Sequence, residues 1–275
     1  MSRRNAVTSA DAAVQQRRSP ARRGGVHVYT MDDRPWRELP RQGVKEKAVR
    51  RDANTGHYLG LLAFEPMART GLHQHLGTAL TYFLSGALTD YQGSASEGML
   101  GVNLAGTTHD AVSYTGCLLA ARLEGPVVVP EGQAAAHPIH GGATAGVIRN
   151  PNPKRPPDIN IAVEPLAPVA TRFAGVGRRA VYDYAGTGDE RRVAALSFRP
   201  HAPAIEVMHS APVDWYILGG DLKIGGRRAG AGSFAVIEPG ARVEISSEYG
   251  CFALCWAEGP AWGEAGKARA ELYGF

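Results

Sequence analysis

Apolar residues along this chain come in short runs rich in Val, Thr and Tyr, and few segments carry the spacing of an amphipathic helix. With 34 glycines and 18 prolines to close those runs, the pattern predicts an all-β protein with many turns. Side chains on a strand alternate between two faces, so His73 and His75, at i and i+2, share one face. If that face is the interior, the strand that follows turns Ala79, Thr81 and Phe83 inward and Leu80, Tyr82 and Leu84 outward. Beyond His109 the same rule turns Ala111 and Ser113 inward. One exception to the β pattern is expected near the end, where residues 263–273 are read as a short terminal helix.

The patterning also repeats. A shift of 134 places Phe64-Glu65-Pro66 on Phe198-Arg199-Pro200, Gly86 on Gly220, Gly106 on Gly240, Gly116-Cys117 on Gly250-Cys251, and Glu124-Gly125 on Glu258-Gly259. Upstream, a shift of 132 brings Gly43-Val44 onto Gly175-Val176 and Ala48-Val49 onto Ala180-Val181. Turn residues in one register over this length predict two copies of one β-barrel unit in tandem. The expected organisation is a disordered Arg-rich tail over 1–30, a first barrel over 31–125, a Pro/Gly-rich linker over 126–170, and a second barrel with its C-terminal tail over 171–275.

The candidate chemistry lies in the first copy. His73 and His75 can pinch one metal ion, and His109, 34 residues after His75, can add a third imidazole from a later antiparallel strand. Three protein ligands leave coordination positions open for water, substrate or O2. The corresponding positions of the second copy are Val207, His209 and Val243, so that barrel is expected to hold no metal and to serve a structural or dimerising role. His137 and His140 fall in the proline-rich stretch and read as loop residues; His27, His57 and His201 read as surface or packing positions. Three neutral imidazoles leave the full charge of a divalent ion uncompensated, which favours an anionic, metal-chelating oxygen substrate such as an enolate or catecholate. Thr81 could bind a substrate oxygen and Phe83 could supply an apolar wall. Glu97, Tyr91, Tyr114 and Arg122 are close enough in sequence to orient the imidazoles, with nothing to choose among them.

Gly71, His73 and His75, the strand Leu80 to Gly86, Gly98, and the Gly106/His109 turn together resemble the two motifs of the cupin family. More closely, residues 36–125 resemble cupins related to the anti-sigma factor ChrR and to acetylacetone-cleaving enzymes, with Gly43-Val44, Asp52, Gly56, Asp90 and Gly116-Cys117 in the expected order. The resemblance implies a bicupin, two jelly-roll barrels in tandem. The family's usual glutamate would fall on Ala79, which cannot bind a metal. Acetylacetone-cleaving and 2,4'-dihydroxyacetophenone dioxygenases of this group use three histidines and no glutamate. They imply Fe(II) at His73, His75 and His109 as both metal and catalytic residues, with Ala79, Thr81, Phe83 and Ala111 in the substrate pocket, and a diketone or aryl hydroxyketone cleaved with O2. A ChrR-like regulatory cupin without catalysis, or an isomerase or lyase using Zn, Ni or Mn, stays open.

Charge changes the picture little. Six arginines against Asp11 put +5 of the formal +4 within the first 25 residues and leave the remainder at −1. The body therefore shows no basic surface for nucleic acid. Arg17-Arg18 and Arg22-Arg23 lack the apolar run of an export signal, and no stretch of about 18 apolar residues suggests a membrane span. Three cysteines without a CxxC pair argue against a disulfide framework. The expectation is a soluble cytoplasmic protein acting on a small molecule and O2, with homodimerisation expected by fold analogy.

Overall fold

A computed structural model describes residues 25–90, 93–129, 159–183 and 190–274, and every regular element among them is a β-strand. Among the described residues no helix is long and apolar enough to cross a membrane. The strands form two tandem barrels, each built on one antiparallel sheet. In the first, Met99–Asn103, Ala79–Asp90, Cys117–Glu124, His57–Phe64 and Val44–Arg51 are neighbours in that order. In the second the order is Ser233–Ile237, Val213–Ile224, Cys251–Ala257, Arg192–Phe198 and Val176–Asp183.

The repeat read from the turn residues holds at the level of register. Cys117 faces Gly86 and Cys251 faces Gly220, with a bulge at corresponding places, between Leu118 and Leu119 and between Ile217 and Gly219. Gly86 and Gly220 are needed there for two reasons. Their φ angles are 69° and 76°, and a Cβ would lie 2.0 Å from the Gly116 carbonyl oxygen in one copy and 1.9 Å from that of Gly250 in the other. Only glycine tolerates both the left-handed backbone and that approach.

The boundaries differ from the expected ones, and the reason is an exchange of strands. Val26–Thr30, expected in the tail, pairs with Ser233–Ile237 of the second barrel. Ile159–Ala162, expected in the linker, pairs with Met99–Asn103 of the first. Each barrel thus borrows the strand that precedes the other. Residues 1–24 of the tail and 130–158 of the linker, with His137 and His140, lie outside the described residues. The expected C-terminal helix is absent: Ala261–Ala265 and Ala268–Glu271 form a hairpin about Gly266, and the first of them pairs with Ile205–His209. Burial alternates along Ala261–Ala265, and that period of two with the tight turn prevails over the helix propensity of the alanines.

The barrels pack on each other through the face expected to point outward. Leu59, Leu61, Leu80 and Tyr82 of the first meet Tyr216, Phe234, Leu254 and Trp256 of the second in one buried cluster. Arg122, 5% exposed, crosses the same interface to Asp214 (Nε to Oδ2 3.1 Å) and Glu258, and also binds Glu124. The three cysteines are free and buried.

The interior of the second barrel is filled. Val207 faces Val243 in the register that pairs His73 with His109 in the first copy. Trp215, at the position of Thr81, donates its indole N–H to the Tyr273 hydroxyl at 2.9 Å, and that hydroxyl lies 2.9 Å from His209 Nε2. Burial pushes the His209 imidazole down to about 4 and the tyrosine well up, so both are neutral and the phenol donates to the ring nitrogen. The C-terminal segment therefore plugs the place where the first copy has its histidines.

Candidate metal centre

His73 and His75 lie on a three-residue strand whose pairing fixes their direction. His109 is directly opposite His73, and the His75 backbone N–H donates to Thr107 (2.9 Å) while its carbonyl accepts from Gly106 (2.6 Å). All three rings are buried, at 3%, 6% and 6% exposure. Their nitrogens converge: His73 Nε2 is 3.1 Å from His75 Nε2, which is 3.0 Å from His109 Nε2, and the three donor atoms lie within 4.8 Å of one another. Ligands bound about 2.1 Å from one ion and at right angles to each other are separated by about 3.0 Å.

The proton positions favour a cation. His73 Nδ1 is 2.7 Å from the Gly71 carbonyl and His109 Nδ1 is 3.0 Å from Asp90 Oδ2, both acceptors, so each ring carries its proton on Nδ1. The two Nε2 lone pairs then point at His75, whose single N–H can satisfy only one. Burial first, then the neighbouring imidazoles, holds His73 well below the usual histidine range and His75 down at about 3, so a proton does not answer the need. His73, His75 and His109 could give all three lone pairs to one divalent ion, and the donor set fits it.

The histidines line a cavity of about 520 Å³, within the range of small-molecule sites. Ala79, Thr81 and Ala111 lie on its wall as expected, together with Asn103, Phe64 and Leu119. Phe83 points into the same barrel but sits in the apolar core with Val44 and Cys117, not on the cavity wall. Ser113 is buried and donates to the Ala87 carbonyl at 2.8 Å.

Of the residues considered as orienting partners, none does so among the described residues. Arg122 is bound into the inter-barrel network, Tyr114 is exposed, Glu97 contacts none of the imidazoles, and Tyr91 lies outside the described residues. The partner is Asp90. It stood in the motif order, but its role needed the end of the strand Ala79–Asp90 to be brought back over His109, which only the fold shows. Replacing Asp90 with alanine is expected to weaken metal affinity by roughly 10- to 100-fold, with asparagine milder because it keeps an acceptor. A competition titration with a chelator of known affinity measures this; unchanged affinity in the alanine variant would remove Asp90 from the site.

Residues 25–127 match the model of the ChrR cupin-like domain. No curated protein sequence matches the chain. Among solved structures it is similar to a "putative dioxygenase" from Nostoc punctiforme, at 8% identity and a TM-score of 0.64, covering 91% of this chain and 87% of that one. It is also similar to oxalate decarboxylase from Bacillus subtilis, at 14% identity and a TM-score of 0.59, covering 90% and 78%. At these identities the likeness shows fold alone. The chain is an all-β protein of two tandem cupin barrels, and its first barrel carries a three-histidine group that fits a cupin metal site.

Proposed function

We propose that the protein is a non-haem Fe(II) dioxygenase that cleaves a carbon–carbon bond in a small metal-chelating diketone or aryl hydroxyketone. The observation that carries the reading is the set of three imidazoles whose nitrogens converge on the wall of a largely apolar cavity, with Ala79 where a carboxylate ligand would stand. Fe(II) bound there would supply the redox chemistry that joins O2 to an activated carbon. The chain supplies the rest. His73, His75 and His109 hold the ion without neutralising it, which favours an enolate as the chelating ligand. Asp90 and the Gly71 carbonyl fix two ring orientations. Phe64 and Leu119 give the cavity an apolar wall, and Thr81 offers a hydroxyl to a substrate oxygen.

Fe(II)-loaded protein should consume one O2 per bond broken when given a panel of 1,3-diketones and aryl hydroxyketones, both oxygen atoms ending in the two products. A second reading, a ChrR-like metal-binding regulatory cupin, is favoured by the match over 25–127. It predicts stoichiometric metal with no O2 uptake on any member of the panel, an outcome that would sink the dioxygenase.

A further inference from the structure

The cavity wall carries a cation with no carboxylate of its own. Arg41 lies in the turn before Val44–Arg51, held there by the Val44 N–H donating to its carbonyl at 3.2 Å, and it lines the cavity with the three histidines. The other arginines nearby have partners. Arg37 and Arg51 both bind Glu46, which is 1% exposed, and Arg69 pairs with Asp110. Arg41 makes no hydrogen bond or ion pair through its guanidinium among the described residues. Burial lowers its pKa, an unrepaid loss of hydration that the charge of Asp110 only partly offsets.

We infer that Arg41 pairs with a carboxylate on the substrate, making the preferred ligand an oxo or hydroxyketo acid rather than a neutral ketone. This inference rests on the function proposed above. A divalent ion on the three imidazoles would stand in the same cavity as the Arg41 guanidinium. Of the two carboxylates on its wall, Glu46 is taken by Arg37 and Arg51, and Asp52 accepts from the backbone amides of Asn54 (2.8 Å) and Thr55 (3.3 Å). An enolate on the ion would leave the Arg41 guanidinium without a partner. A chelating enolate that also carries a carboxylate would supply one, and a guanidinium can grip that carboxylate in two places.

The test uses full-length protein loaded with Zn(II), so that nothing turns over, and calorimetric titration with 2,4-dioxopentanoate and with pentane-2,4-dione, which lacks the carboxylate. Wild type should bind the acid about tenfold or more tighter than the dione. Arg41→Gln should lose that preference while its affinity for the dione and its zinc content change little, and Arg41→Lys should fall between. Equal binding of the two ligands by wild type, or equal weakening of both in Arg41→Gln, overturns the inference. Should Arg41→Gln not fold, the wild-type ratio and Arg41→Lys decide. Oxygen uptake with the dione but no preference for the acid leaves the dioxygenase standing without Arg41. An Arg41-dependent preference without uptake on the Fe(II) protein does the reverse, and binding of neither ligand overturns both.

Discussion

Replacing His109 by alanine is expected to abolish stoichiometric metal binding, and turnover with it, while the barrels stay folded. The imidazole is 6% exposed, and its Nε2 is one of three converging donors. Without it two ligands remain, and they come from a single three-residue strand. Affinity should fall by more than about 100-fold, beyond what the loss of an outer partner costs. The fold should survive because His109 lies on a two-residue strand outside the barrel's main sheet, and Asp90 keeps other contacts. Metal analysis and circular dichroism on the same preparation separate the two effects. A His109→Ala protein that keeps one metal per chain would show that the ion is held elsewhere. His209→Ala serves as the matched control: it lies at the position of His75, but in the plugged barrel, and should change metal content not at all.

The second large effect is structural. Arg122→Ala is expected to destabilise the protein by roughly 3–5 kcal/mol, because it takes a buried cation from between three carboxylates and leaves Asp214 with Arg50 and Glu124 with Arg191. Burial opposes the Arg122 charge, but Asp214, Glu124 and Glu258 together outweigh it and hold its pKa above the ordinary arginine value. Asp214, 2% exposed, would keep among the described residues only Arg50, at 2.6 Å, and that arginine is more than a third exposed. The network sits where the two barrels meet, so its loss should loosen their docking first. Urea unfolding followed by tryptophan fluorescence reads this well, since Trp256 lies in that interface. Unchanged metal content in the same variant would separate docking from the site. A loss below about 1 kcal/mol would mean that the network is no stronger than exposed ion pairs.

Much of this was legible in the sequence because the chain states it twice. Gly86 and Gly220 mark the same left-handed position inside corresponding strands, and a duplicated glycine of that kind is hard to produce except by a duplicated fold. The His73, His75 and His109 set was legible because a period of two and a third imidazole leave little freedom in where the rings point. Leu80 and Tyr82 were placed outward correctly, but sequence could not say that outward meant a second barrel.

What was not legible depends on pairing between distant segments. Val26–Thr30 carries too few residues for its alternation to stand out from an Arg-rich tail, and its partner lies some two hundred residues away. Tyr273 fills the second barrel only because the hairpin before it is stitched to Ile205–His209. The fold alone sets Asp90 beside His109 and Arg41 on the cavity wall, and no local spacing announces either.

The measurement that bears most directly on the account is the number of metal ions per chain, by elemental analysis of full-length protein reconstituted with Fe(II) without oxygen and freed of excess ion. One per chain in wild type, unchanged in His209→Ala and lost in His109→Ala, is the predicted result. Two per chain, or one that survives removal of His73, His75 and His109 together, would contradict a single three-histidine centre in the first barrel.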